Sequence, residues 1–477
     1  MYTKRLVPIL YVSVVVALLA AGCVVATPAP LPAVEQPKEE AAATEAPEEA
    51  PAEKIFLDVG QQPPITILIN DSPWFGGFEK LVELYEEQTG NEVNLDVTPY
   101  AGMLEKSRNA VRDQESPYDL INIDTQNTVE FYAGGFLTPF TDIDPSFEFD
   151  PAVLRYGDSM YWNEEKQWRT SDGGKIMAFS PNGNVQLFFY RGDLYEEAGL
   201  EPPETWDDVF NACQTIQNRP ELYGMVVRGE RGNGIRFNWM PYMLGHGASI
   251  VRDPANGDFT VTINSPEAKE ALDLFIRLAN ECGPPNSGEI GQSDMIQLLV
   301  TGKALQAIVV TAAWPNMDDP DKSIVVGKIQ TTVIPKPADG EHATAIGNWN
   351  MGIPSNLPDE RKQAALAFVR WFLTYDAQYA YAEFGSLPVR SDVYESDLAD
   401  REEFRWMTAY LNSMPYAHQV LGYKEGAQVE EVLGLRLNQA LVGELSSAEA
   451  LNMAAEEIYQ IFQESGRNTG MLEPLPE

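Results

Sequence analysis

Ten side chains in this sequence are suited to holding a molecule rich in hydroxyl groups. Trp74, Trp239, Trp314 and Trp349 stand in loops, at a helix start or beside turn residues. A flat indole there offers an apolar platform for the C–H face of a polyhydroxylated ring or chain. Asp124, Gln126, Asn182, Gln186, Arg228 and Arg390 carry planar polar groups that can pair with neighbouring hydroxyls. A site built this way rejects analogues lacking hydroxyls, because its own polar groups would be left unpaired. Trp349 and Trp314 lead the set. Trp206, Trp371 and Trp406 fall within helical patterns and read as packing, and Arg231 reads as a solvated loop charge.

Other chemistries lack their residues. Thr301-Gly302-Lys303 has no upstream glycine to make a phosphate loop, and no Gly-x-Ser-x-Gly elbow occurs. His246, His342 and His418 are far apart and lack metal-ligand spacing, so no metal or cofactor is expected. A pair of glycosidase carboxylates is defined in space and not by counting, but nothing in the sequence points to one. The formal net charge of -38 argues against nucleic acid as a partner.

The elements that would position these residues alternate between strand and helix. Residues 65–69 (ITILI) form a strand, and Phe78, Leu81, Val82 and Tyr85 recur at helical spacing up to Gly90. Residues 93–97 alternate as a second strand, giving a βαβ unit. Ligands in such sheets bind beyond the carboxyl ends of the strands, where Trp74 and Asp124 lie. Trp74 is equally readable as a hydrophobic staple, and Asp124 as a helix N-cap. Residues 175–179 and 185–190 are strands flanking the turn SPNGN at 180–184. Thr205 caps a helix opened by Asp207 and Asp208, and Ser265 caps one whose buried stripe is Ala268, Leu272, Phe275 and Leu278. Helices follow at 361–375 and 377–384, and the chain ends in a loose tail.

The segment YRGDLYEEAGLEPPETWDDV, beginning at Tyr190, resembles the hallmark segment of family 1 extracellular solute-binding proteins, the capture subunits of ABC importers related to maltose-binding proteins. Further matching blocks follow in order: AGGFLTPF from Ala133, NSPEA from Asn264, TGKALQA from Thr301, GNWNMGIP from Gly347 and LPVRS from Leu387. YGMVVRGERG from Tyr223 and the stretch 318–337 are similar to the sugar and polyol branch. The resemblance implies a two-lobed α/β protein of the type II periplasmic-binding fold, with a mixed sheet flanked by helices in each lobe. Crossings are expected near Ser180, Thr311 and Pro354. Residues 55–180 and 312–354 would then form one lobe, and 181–311 and 355–477 the other. The implied role is non-enzymatic: carrying a sugar or polyol to transmembrane permease subunits, with glycerol phosphate or an oligosaccharide as alternative ligands. A secreted carbohydrate-active enzyme, or a surface sensor or adhesin, is the reading from another class.

The N-terminus reads as a secretory signal over 1–22, shorter than a membrane span, ending in LAAGC. This resembles a bacterial lipobox and implies lipid attachment at Cys23, so the membrane is reached through that anchor only. Residues 23–54, rich in Pro, Ala and Glu, form an extended tether. The product is an extracytoplasmic, monomeric lipoprotein. Cys213 and Cys282 are either a disulfide or two buried thiols.

Overall fold

A computed structural model describes residues 54–419 and 421–476. The signal segment, Cys23 and nearly all of the tether lie outside the described residues. The elements that matter for the site, in chain order, are β1 (Ile65–Asn70), α1 (Phe75–Thr89), β2 (Val93–Thr98), α2 (Tyr100–Arg112), β3 (Leu120–Asp124), β4 (Gln186–Arg191), α3 (Trp206–Ile216), α4 (Asn233–Gly245), α5 (Pro266–Cys282), β5 (Gln306–Val310), β6 (Ile329–Thr332), β7 (Trp349–Gly352), α6 (Asp359–Phe372), α7 (Tyr375–Glu383), α8 (Gly426–Leu441) and α9 (Ser447–Glu464).

Two sheets define two lobes. In the first the strand order is β7-β3-β1-β2, with β1 parallel to β2 and β3, and β7 antiparallel to β3. β1 and β3 are buried on both faces because helices cover both sides of the sheet. In the second the order is β6-β4-β5, all antiparallel. Every residue of β4 is buried. Helices α4, α5, α8 and α9 pack on one another in the second lobe.

The local signals behave as their chemistry requires. Gly90 and Gly199 close their helices in the left-handed conformation (φ 70° and 68°), where a side chain would be strained. Thr205 and Asp208 form a capping box, each side chain bonded to the other's backbone N–H. The stripe of α5 is buried as expected.

Three expectations are corrected. The chain does not leave the second lobe at Thr311: it continues to β6, which pairs with β4 in the second sheet, and reaches the first sheet only at β7. Nor does it leave the first lobe at Pro354. Helices α6 and α7 pack on β1 and α1, and Arg390 is still bridged to Val153. The return comes before the helix Trp406–Ser413, which packs on β6 and β4. The physical reason is that Phe368, Phe372 and Tyr381 bury their rings against Phe78 of α1, so 355–385 completes the first lobe's core. The tail is not loose either. Phe259 N–H donates to the Asn468 carbonyl (2.9 Å) and Val261 N–H to that of Gly470 (2.8 Å), which adds 468–472 to the edge of a hairpin.

Cys213 and Cys282 form a disulfide that ties α3 to the end of α5 across a separation of 69 residues. Closing a loop of that size removes freedom from the unfolded chain, so replacing both cysteines by alanine should lower unfolding stability by roughly 2–4 kcal/mol, read as a fall in urea midpoint.

Candidate functional site

A cavity of about 610 Å3 opens between the lobes. From the first lobe it receives the loop after β1 (Asn70 to Trp74), Tyr100 at the start of α2, and Asp124 and Gln126 at the end of β3. These are the carboxyl ends of parallel strands, where the side-chain layers end and backbone groups point outward. The crossing segments supply Asn184, Gly347 and Trp349. The second lobe supplies Arg228, Glu230, Asn233, Arg236, Phe237 and Gln292.

Register fixes the first-lobe wall. In the β3–β7 ladder Trp349 lies directly opposite Asp124, so the two side chains share a face. The Tyr100 ring meets the Trp349 indole edge-on at 5.8 Å. The Tyr100 hydroxyl donates to Asp124 Oδ2 (3.1 Å) and accepts from Gln126 Nε2 (3.4 Å). Asp124 also caps the short helix that follows, accepting from the Gln126 N–H (3.3 Å). Gly347 packs closely here: a Cβ at this position would lie 3.0 Å from the Phe237 ring and 3.2 Å from Asn184 Nδ2.

The second-lobe wall carries positive charge. Arg236, on the otherwise uncharged α4, is buried, pairs with Glu430 of α8 and donates to Gln126 Oε1 (3.0 Å) in the opposite lobe. Arg228 is buried too. Its Nη1 donates to Gln292 Oε1 (3.3 Å), and among the described residues it makes no ion pair. Burial pushes both guanidiniums down to about 10, with Glu230 partly opposing this for Arg228 and Asp124 for Arg236. Burial likewise raises Asp124 above the ordinary carboxylate range, against hydrogen bonds from Gln126 and Tyr100 and the charges of Arg236 and Arg169.

Of the ten residues proposed from sequence, Trp74, Asp124, Gln126, Arg228 and Trp349 line this cavity. Trp74 is also a staple, its ring edge-on to Phe78 at 5.9 Å. The other five do not line it. Asn182 is buried behind Trp349, its Oδ1 accepting the Trp349 N–H (3.0 Å). Gln186 Nε2 donates to the Phe237 carbonyl (3.2 Å) and so steadies a wall residue from behind. Trp239 is wholly buried in the second lobe. Trp314 donates to the Glu403 carbonyl (2.9 Å) beneath the Arg405 guanidinium, which is 4.5 Å from its ring. Arg390 is held by Asp392 (2.6 Å) and Asp150 (3.3 Å).

Sequence reasoning missed Tyr100, Asn184, Asn233, Arg236 and Gln292. Tyr100 follows β2 as Asp124 ends β3, so the same strand-end rule reaches it. Arg236 stands out as the lone cation in NGIRFNWMPYMLG, but its partner Glu430 is 194 residues away and carries no local signal.

A family model described as bacterial extracellular solute-binding protein matches residues 72–379, and the chain belongs to that family. It is 23% identical over 378 residues to the mannitol-binding protein of Pseudomonas aeruginosa, covering 75% of this chain and 83% of that one. Among solved structures it resembles maltose-bound MalE3 of T. maritima (TM-score 0.72, 23% identity, 83% of this chain and 99% of that one). It also resembles a solute-binding protein of Agrobacterium radiobacter K84 in complex with ribitol (TM-score 0.69, 22% identity, 85% of this chain and 100% of that one). The two-lobed fold is therefore the one these binding proteins share.

Breaking one side of a buried ion pair strands the other charge. Glu430→Gln should destabilise the protein by roughly 3–5 kcal/mol, whereas Arg236→Met with Glu430→Met should recover most of the loss. Chemical denaturation of both variants checks this.

Proposed function

We propose that this chain captures a sugar or sugar alcohol in the interlobe cavity and presents it, unaltered, to the transmembrane subunits of an ABC permease. The observation that carries the reading is the convergence of Asp124 from one lobe and Arg228 from the other on a single cavity beside Trp349. Asp124 accepts from ligand hydroxyls and Arg228 donates to them. A ligand touching both holds the lobes together, which is how hinged binding proteins couple capture to closure. The Trp349 indole takes the C–H face of the ligand. The family's extracellular placement, and the names of the mannitol-binding relative and of the ribitol complex, agree with this reading. Anchoring through a lipidated Cys23, action as a monomer and the absence of a catalytic step belong to the same proposal. Among the described residues no helix is long and apolar enough to cross a membrane.

A thermal-shift panel of hexoses, pentitols, hexitols, oligosaccharides and glycerol phosphates tests it. A true ligand at ~100 times its dissociation constant stabilises by about 2.7 kcal/mol. Mass spectrometry of the ligand recovered after long incubation should find it intact; a cleaved product would favour the carbohydrate-active enzyme. Trp349→Ala should weaken binding at least ~10-fold, about 1.4 kcal/mol, with the fold retained.

Acid should weaken binding as well. The raised Asp124 means that the folded protein takes up this proton at a higher pH than a free carboxyl does. Affinity then falls as pH descends through that raised value, before ordinary carboxyls titrate. Asp124→Asn should bind more weakly at pH 7 and show a flat profile over the same window, measured by calorimetric titration.

A further inference from the structure

A second cavity of about 290 Å3 adjoins the first. Tyr100, Asp124, Gln126 and Trp349 line both, so these four form the partition. The new space lies between α2 of the first lobe and α8 of the second. Its lining is more apolar than that of the main cavity: Ala101, Met103, Leu104, Ile123 and Ala427 supply apolar walls, and Ser107, Asn122, Asn127 and Glu430 are the polar groups it does not share with the main cavity. Two buried polar atoms of its lining residues, Asn122 Nδ2 and Ser107 Oγ, have no partner among the described residues.

A bare chain of hydroxyls fits the apolar side of this space poorly, because hydroxyls set against Ala101, Met103, Leu104 and Ile123 would lose their water partners to methyl and thioether groups. An alkyl or aryl group joined through an ether or acetal oxygen fits better. Its carbons meet the apolar walls, and its oxygen only accepts, as the unpaired Asn122 amide requires. The partition does not bar the way. Tyr100 is the first residue of α2, half exposed, and its hydroxyl makes two hydrogen bonds, to Asp124 and Gln126. Turning its ring therefore disturbs little core packing.

We propose that this side cavity takes an apolar substituent of the ligand, so that the protein prefers an O-alkyl or O-aryl sugar or polyol over the unsubstituted compound. The inference rests on the reading that a hydroxylated ligand occupies the main cavity.

Calorimetric titration of the purified full chain tests it, with D-glucose, D-mannose and D-mannitol against the O-methyl and O-phenyl derivative of each. Leu104→Trp fills the side cavity from α2, and Ala427→Phe fills it from the exposed start of α8. Neither residue lines the main cavity. The expected result is an O-phenyl derivative binding at least ~10-fold tighter than its parent, the scale on which apolar pockets discriminate. The filled variants should erase that gain and leave the parent's dissociation constant within about twofold. Circular dichroism verifies folding of each, and the two variants reach the cavity from different elements. Parents that bind with no gain from substitution, or a gain that survives both variants, overturn the side-cavity assignment and leave the main site standing. No binding by any of these compounds overturns it together with the reading beneath it.

Discussion

The turn from Ser180 to Asn184 carries the load of joining two lobes that share no sheet. Its backbone is buried and outside any ladder, so side chains must satisfy the groups that strands would otherwise pair. Asn184 does most of this. Its carbonyl accepts the Gly347 N–H (2.9 Å), its Nδ2 donates to the Gly347 carbonyl (2.9 Å), and its Oδ1 accepts the Ala312 N–H (3.0 Å). Asn182 and Ser180 hold the two sides of the Trp349 peptide, by its N–H (3.0 Å) and its carbonyl (2.9 Å). One five-residue turn thus ties the outgoing and returning crossings together and sets the backbone from which the indole projects. Loss of any of these bonds leaves a buried polar group without water, which is why such sites move as hinged units and do not deform gradually.

The charges of the cavity follow from the same economy of partners. Arg236 can be buried because Glu430 neutralises it and Gln126 takes a further N–H. Among the described residues Arg228 has only a neutral glutamine as side-chain partner, and Asp124 has hydroxyl and amide donors in place of a cation within bonding distance. Both are strained toward their neutral forms by burial. Groups left in that condition gain most from a ligand that donates to one and accepts from the other. The completed Arg236–Glu430 pair contributes position; the incomplete groups contribute recognition.

Much of the fold was legible because its signals are local. The helix end at Gly90 needed only that residue's freedom to turn left-handed, the Thr205 cap only the residues after it, and β1 only its run of branched apolar side chains. The lobe assignment of 355–385 was not legible, since helices of that pattern suit either lobe. It was settled by which rings, those of Phe78 and its neighbours, had room for Phe372 and Tyr381. In the site, strand-end residues such as Asp124 and Gln126 were accessible to a rule about sheets. Trp314 and Arg390 misled because residue type alone does not distinguish an indole facing a cavity from one beneath Arg405, or a free guanidinium from one already paired with Asp392. Asn182 and Gln186 do not line the cavity and hold its wall from behind.

That last distinction bears on how a fold persists among relatives only 22–23% identical. The residues that secure the crossings, Asn182, Asn184 and Gln186, bond to backbone atoms at 2.9–3.2 Å. Backbone donors and acceptors are present whatever side chain a relative carries, so these anchors constrain geometry without constraining chemistry. The lining residues Tyr100, Asn233 and Gln292 sit at helix starts, where substitution disturbs little packing. Stability and recognition are therefore encoded on opposite sides of the same short wall. A change facing the cavity alters what is held, and a change facing the turn alters whether the two lobes hold anything at all.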